Sequence, residues 1–490
     1  VTDGKAIKVL FASPEIAPFA KTGGLGDVCE ALPKALLPLG VAPSLVLPLY
    51  RSVKRGGWDL EKVLEDLPIR IGADEITADI HRGWLTEEIP VFFVQRDEFF
   101  DRASLYGTSQ GDYTDNAERF SFFSCAVLAL TKALDQQWDV IHCHDWQTAL
   151  IPVYLKTIFS DMPPLAMTKS ILTIHNLGYQ GIFPAERFPC LGLPSDLFSV
   201  EGLEFWGKVN LLKGGIVFAD QVTTVSPTYA REIQTPEFGY GLEGVLKIKA
   251  GSLIGILDGV DYAQWDPAHD PHLAARYSLN DLTGKKTCKE DLLQRCGLSH
   301  DLMERPLLGM TSRLAGQKGI DILCEVVDRV MARRAGLVIL GSGERKYERI
   351  LTKMARRYPQ QMAVKIVFDE ALAHRIEAGC DIYLMPSLYE PCGLSQMYGL
   401  KYGTLPVVRH TGGLVDTVAE VDPKKKKGTG FTFIEYHPDA LWKAINKAVQ
   451  CFADKELWQQ LMRQAMARDF SWPRSAGEYL KLYQRLMKGE

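Results

Sequence analysis

Short apolar runs alternate with longer amphipathic stretches from one end of the chain to the other. Runs of strand length fall at 7–13, 44–49, 89–95, 139–144, 170–175 and 221–225, then at 305–311, 335–341, 363–368, 381–385 and 405–409. Strand-length runs separated by helical patterns predict repeated β-α units and parallel sheets, an α/β fold. Between the two groups, Ile254-Gly255-Ile256-Leu257 is apolar and Asp258-Gly259-Val260-Asp261 is turn-rich. A crossover is predicted there, separating domains at 1–256 and 257–472. The stretch from about 265 to 305 reads as polar and helical, without a clear strand. After Trp472-Pro473, residues Tyr479, Leu480, Tyr483 and Leu486 recur at helical spacing. They predict a last helix, 473–490, docked on apolar surface of the N-terminal domain.

Upon this pattern sits a repeated motif, Thr-Gly-Gly-Leu-x-Asp. One copy is Thr22-Gly23-Gly24-Leu25-Gly26-Asp27, preceded by Lys21, and the other is Thr411-Gly412-Gly413-Leu414-Val415-Asp416. Each follows an apolar run and precedes a helix start. A glycine pair at a strand-to-helix turn lets backbone N–H groups approach an anion, and the helix dipole favours negative charge there. Two such turns predict one anionic ligand held by two similar domains.

Composition narrows the partners. The 490 residues are 46% hydrophobic and 24% charged with a net charge of −4, which argues against nucleic acid or an anionic membrane. A phosphate must then be met by a few placed cations. The ten cysteines show no framework spacing, so reduced thiols are expected. No apolar run reaches the ~18 residues of a membrane span. The opening Val1-Thr2-Asp3-Gly4 reads as neither a signal nor a transit peptide, although an upstream segment could have been removed.

In open parallel sheets, ligands bind outside the carboxyl ends of the strands. Polar residues gather at those ends: Lys21, His144-Asp145, His175-Asn176, Arg313, Gly341-Ser342-Gly343-Glu344 and Glu390. Arg313 and Lys318 lie five residues apart around a glycine, placed to aim a fork and a point charge at one diphosphate. They are weighed against a pair of ordinary surface cations. Glu390, in Glu390-Pro391-Cys392-Gly393-Leu394, can accept hydrogen bonds from sugar hydroxyls or act as a helix N-terminal acid. Cys392 reads as a packed thiol rather than a nucleophile. In His142-Cys143-His144-Asp145, strand alternation sends the two histidines to one face and Cys143 to the other, so no metal cluster is expected. Gly239-Tyr240-Gly241-Leu242-Glu243-Gly244 fits a dinucleotide fingerprint, but Gln234-Thr235-Pro236-Glu237 before it is no strand. No D-x-D triplet occurs, which weakens a divalent-metal sugar-nucleotide site.

Lys21-Thr22-Gly23-Gly24-Leu25, His142-Cys143-His144-Asp145-Trp146, His175-Asn176-Leu177, Ser312-Arg313-Leu314 with Lys318-Gly319, Glu390-Pro391-Cys392-Gly393-Leu394 and Tyr398-Gly399-Leu400-Lys401-Tyr402-Gly403-Thr404 occur in this order. Together they resemble the bacterial glycogen synthase and plant starch synthase family, the bacterial members more than the plant ones. The resemblance implies a GT-B fold, two Rossmann-like domains facing a central cleft, with acceptor on the N-terminal side and nucleotide sugar on the C-terminal side. It implies retaining transfer of glucose from ADP-glucose to the non-reducing end of an α-1,4-glucan, with no metal or other cofactor. Arg313 and Lys318 would hold the diphosphate, with Lys21 and Gly24 approaching it from the first domain. His175 would lie near the reacting carbon with Asn176 beside it, and Asp145 would position the sugar site. Glu390 would bind sugar hydroxyls, and the amides of Gly393 and Leu394 would reach sugar or phosphate. Cys392, Asp27 and Thr411 belong to the same binding turns, and Tyr106 is a candidate aromatic contact. A bacterial cytoplasm is the implied location, or a plastid if a transit peptide was removed. At the crossover the family has Asn-Gly-Val/Met-Asp, whereas this chain has Asp258, which removes a donor and adds a charge. An effect on closure or pH dependence is expected. The rival readings are a UDP-sugar transferase of the same fold, a phosphorylase carrying pyridoxal phosphate, and a non-catalytic glucan-binding paralogue.

Overall fold

The computed structural model describes residues 6–108 and 110–489. Val1 to Gly4, on which the targeting expectation rests, lie outside them. Two compact units are present: one holds the described residues up to Gly259 and from Trp472 on, and the other is Val260–Ser471.

The strands of the first unit are β1 (Ile7–Ala12), β2 (Val41–Pro48), β3 (Glu61–Ile71), β4 (Asp74–Thr86), β5 (Ile89–Gln95), β6 (Gly107–Thr108), β7 (Gly111–Asp112), β8 (Val140–His144), β9 (Lys169–Ile174), β10 (Ile182–Pro184), β11 (Glu204–Phe205), β12 (Lys208–Asn210), β13 (Gln221–Thr224) and β14 (Leu253–Gly255). Nine of them form one sheet in the order β14-β13-β9-β8-β1-β2-β5-β4-β3. It is parallel from β14 to β5, with β4 and β3 added antiparallel. The central strands are buried and mostly apolar, as parallel strands covered on both faces must be: Val9 to Ala12 and Val140 to Cys143 are fully buried, with His142 the polar exception. The six strands expected in this half are all present. The β3–β4 pair was not expected.

The second unit contains β15 (Leu307–Thr311), β16 (Gly336–Leu340), β17 (Met362–Lys365), β18 (Ile382–Met385), β19 (Leu405–Arg409) and β20 (Phe431–Phe433). They pair in parallel in the order β17-β16-β15-β18-β19-β20. The five expected strands are again all there, and the 265–305 stretch supplies the helix Thr283–Cys296 and no strand. That helix carries two lysines inward. Lys285 Nζ donates to the carbonyls of Ala378 (2.9 Å) and Tyr402 (3.0 Å) and to Thr404 Oγ1 (2.7 Å), and Lys289 pairs with Asp381 at 2.7 Å. Burial pushes the Lys285 ammonium down to about 8.

The last helix is Trp472–Lys488, so Trp472 lies inside it and Pro473 occupies the first turn, where no intrahelical donor is lost. It lies against the helix Gly24–Leu36 in the first unit. Its buried stripe is Tyr479, Leu482, Tyr483 and Leu486, and Leu480 is only half-buried. Each such burial contributes about 1.5–3 kcal/mol.

Among the described residues, no helix is long and apolar enough to cross a membrane.

Each of the two large sheets has one point where successive connections leave in opposite directions, β1/β8 in the first unit and β15/β18 in the second. Crevices beyond the carboxyl ends of such strands are where open α/β sheets bind ligands.

Candidate functional site

At the β1/β8 point, the residues after β1 fold back on a carboxylate that the motifs did not single out. Glu15, 4% exposed, accepts hydrogen bonds from the amides of Thr22 and Gly23 and from Thr22 Oγ1 (2.6 Å). Tyr106 Oη donates to the same carboxylate at 2.6 Å. The first Gly-Gly turn therefore wraps its leading amides around an anion of the protein's own. The helix begins at Gly24, and Lys21 Nζ meets Asp27 at 2.6 Å across the turn, both partly exposed. Tyr106, a candidate aromatic contact, has its hydroxyl committed to Glu15.

Beyond β8 and β9, the structure brings Asp145 and His175 together. Asp145 adopts a positive φ of 55°, and its Oδ1 accepts the His175 amide at 2.7 Å. His175 Nε2 lies 3.0 Å from His144 Nδ1, and the rings of His142 and His144 stack at 4.4 Å, as strand alternation required. His142 is anchored by Tyr483 Oη (2.9 Å) and Thr173 Oγ1 (2.6 Å). Burial pushes His142 and His175 down to about 3 and His144 well below its usual range, so the column is neutral. Asn176 turns its Oδ1 back to accept the Gly178 amide at 2.9 Å.

Burial pushes the Asp145 carboxyl up to about 7, against the amides of His175 and Asn176, which favour its charged form. A carboxyl raised on folding contributes stability below its unfolded value, 3.8, and loses it as pH climbs through the folded one. Relative to Asp145→Asn, the wild-type protein is expected to lose stability between pH 3.8 and about 7 and to level off above it. Urea denaturation of both proteins across that range measures the difference, and a flat difference would refute it.

At the β15/β18 point, Arg313 is exposed on a loop that runs beside 341–344: the Leu314 amide donates to the Ser342 carbonyl (2.9 Å) and the Glu344 amide to that of Leu314 (2.8 Å). Lys318 closes the short helix Gly316–Lys318, and its Nζ lies 2.9 and 2.7 Å from the two carboxylate oxygens of Glu390. Ser387 Oγ also donates to Glu390, at 2.9 Å. Glu390 is 6% exposed, so a buried acid and its cation end the loops of two adjacent strands.

The second Gly-Gly turn packs against the loop that follows β18. Thr411, Gly412 and Gly413 are buried, and the Gly413 amide donates to the carbonyls of Glu390 and Pro391, both at 3.1 Å. Gly412 has φ +48°, and a Cβ there would come within 1.9 Å of the Glu390 carbonyl. The turn holds the Glu390 backbone. Cys392 is buried, a packed thiol, while Gly393 and Leu394 are partly open. Gln396 Nε2 braces that turn through the carbonyls of Cys392 (3.1 Å) and Gly393 (2.8 Å).

Among the described residues, no group of three or more His, Cys, Asp and Glu side chains is arranged to hold a metal ion. All ten cysteines are free thiols. Asp258 is buried, and its charge adds to burial in raising the phenol of Tyr479 and the thiol of Cys29. Glu15, Ser387 and Gln396 carry no sequence signal beyond following or flanking a motif.

Residues 8–248 match the family model for the starch synthase catalytic domain, and residues 299–465 match that for glycosyl transferases group 1. Glycogen synthase of Koribacter versatilis is 47% identical over 477 residues, covering 97% of this chain and 98% of the relative. Glycogen synthase of Syntrophotalea carbinolica is 45% identical over 482 residues, covering 98% and 99%. The catalytic domain of starch synthase IV from Arabidopsis thaliana, solved with ADP and acarbose bound, superposes with a TM-score of 0.89 at 34% identity, covering 99% of this chain and 100% of that one. Sucrose-phosphate synthase from Thermosynechococcus elongatus superposes at 0.61 with 16% identity, a likeness of fold alone.

Proposed function

The chain belongs to the glycogen synthase and starch synthase family and has the GT-B glycosyltransferase fold, and from that premise we propose that it transfers glucose from ADP-glucose to the non-reducing end of an α-1,4-glucan. The observation that carries the reading is the pairing of Lys318 with buried Glu390 at a strand-end crevice that also presents Arg313. Two cations suit a departing diphosphate, and a buried carboxylate suits sugar hydroxyls.

In this reading Arg313 and Lys318 neutralise ADP as the bond from glucose C1 to the phosphate oxygen breaks. The acceptor hydroxyl bonds to C1 on the same face, and its proton passes to the leaving phosphate oxygen, which retains the α configuration. His175, neutral through burial, lies beside the reacting carbon, Asn176 is adjacent, and Asp145 fixes their backbone. Lys21 and Gly24 approach the donor phosphates, in a turn that Asp27 and Tyr106 help shape. Glu390 binds sugar hydroxyls, the amides of Gly393 and Leu394 reach sugar or phosphate, and Cys392 and Thr411 pack that turn. No metal is required, since the chain supplies the positive charge. The reaction belongs in the cytoplasm of a glucan-storing cell.

Elongation of glycogen by the purified protein, with ADP-glucose against UDP-glucose and with EDTA, tests the reading. ADP-glucose is expected to exceed UDP-glucose by at least about tenfold in kcat/KM, a difference of ~1.4 kcal/mol, with no loss in EDTA. A preference for UDP-glucose makes the chain the rival transferase, and incorporation from neither makes it a non-catalytic paralogue. Loss in EDTA restored by magnesium would remove the metal-free mechanism.

A further inference from the structure

The hairpin of β11 and β12 turns through two residues, Trp206 and Gly207, both with positive φ, 49° and 74°. Two left-handed residues in succession make the tight turn that twists with its strands, a turn normally built from Asn, Asp or Gly. A tryptophan there is unfavourable twice over. Its backbone sits where bulky residues rarely go, and its indole is 78% exposed, so burial does not compensate.

The ring is nonetheless held. It leans on Phe205, with centroids 4.6 Å apart, and lies so close to Gly241 that a Cβ there would come within 2.6 Å of it. Beneath, buried Lys213 donates from Nζ to the carbonyls of Val200 (2.6 Å) and Glu204 (2.5 Å). Next to Gly241 stands Tyr240, a second aromatic residue with positive φ (48°), 41% exposed, whose carbonyl accepts a hydrogen bond from Gln180 Nε2 at 3.2 Å. Two large rings are thus presented to solvent on backbone conformations that aromatic residues seldom adopt, over a hydrogen-bonded base. Gln180 is five residues from His175, at most roughly 18 Å of chain.

We infer that Trp206 and Tyr240 form a binding platform for the acceptor glucan, apart from the donor site and on the way to His175. The inference rests on the proposed elongation of an α-1,4-glucan. A pyranose ring offers an apolar face of C–H groups and a rim of hydroxyls. A fixed, exposed indole or phenol covers that face while the hydroxyls stay in water, and a preformed platform needs little ordering on binding. Exposed aromatic surface with no such use would be a liability for solubility.

The test is Trp206→Asn, which gives the turn a residue it prefers, with Tyr240→Asn as the second variant. Native affinity gels containing glycogen, run without donor, read binding. Elongation of glycogen and of maltotriose reads function. Retention on glycogen is expected to weaken roughly tenfold in Trp206→Asn, and KM for glycogen to rise with kcat and maltotriose turnover unchanged. The melting temperature is expected to hold or rise. Unchanged glycogen affinity in both variants overturns the platform. So does a fall in melting temperature with equal losses on both acceptors, or a change in self-association without a change in glucan affinity. Because the gels contain no nucleotide sugar, failure of the ADP-glucose reading leaves this result standing, and the reverse also holds.

Discussion

Replacing Arg313 with alanine is expected to lower kcat/KM for ADP-glucose by about 10²-fold or more while leaving the fold intact. Arg313 is exposed on a loop whose backbone is fixed by its hydrogen bonds to 341–344, so truncation opens no cavity, and such surface changes move stability by only about 0.5 kcal/mol. The transition state is another matter. As C1 separates from the diphosphate, negative charge grows on the leaving oxygens, and a positioned donor to such charge contributes roughly 3 kcal/mol or more. Because that charge is greater in the transition state than in the bound donor, the loss should appear chiefly in kcat. Arg313→Lys should recover only part, since an ammonium cannot reproduce a two-pronged contact. Steady-state kinetics with a parallel melting curve decide it. Near-wild-type turnover in Arg313→Ala would mean that the diphosphate lies elsewhere.

What the sequence made legible follows from burial. Parallel strands covered on both faces must be apolar along their length, so β1, β8, β15 and β18 stand out as runs, and the polar residues that end them mark the crevices. The β3–β4 pair lies at the sheet edge, half exposed and laced with charge, and shows neither a run nor a clean alternation. Glu15 was illegible for a different reason. A carboxylate two residues after Ser13 looks like any loop acid until the fold carries Thr22, Gly23 and Tyr106 around it. The repeated Thr-Gly-Gly-Leu-x-Asp sets the clearest limit: one copy is exposed and cages an internal carboxylate, the other is buried and holds the Glu390 backbone. The shared residues start a helix in both copies, at Gly24 and at Gly412, but on different backbones, φ −160° at Gly23 and +48° at Gly412, so tertiary surroundings decide both the turn and what its amides meet. The Trp206-Gly207 hairpin was hidden because tryptophan is not the residue that announces such a turn.

The Lys318–Glu390 pair allows stability and catalysis to be separated in one set of variants. Lys318→Ala removes the proposed diphosphate ligand and also strands a carboxylate whose side chain is 7% exposed, with Ser387 as its remaining side-chain donor. An uncompensated buried charge costs about 3 kcal/mol, so this variant should melt well below the wild type as well as lose about 10²-fold in turnover. Glu390→Gln is expected to be milder for stability, because the Lys318 side chain is 21% exposed and its ammonium can turn to water. In Lys318→Ala/Glu390→Gln the stranded charge is gone, so most of the stability should return while turnover stays as low as in Lys318→Ala. Urea denaturation of the four proteins, read as a double-mutant cycle, gives the coupling, and initial rates with ADP-glucose give the activity. If the two substitutions add to within about 0.5 kcal/mol, the pair is not a coupled unit and the stranded-charge argument fails. If turnover returns along with stability, Lys318 acts by holding Glu390, and the charge meeting the diphosphate must come from other residues.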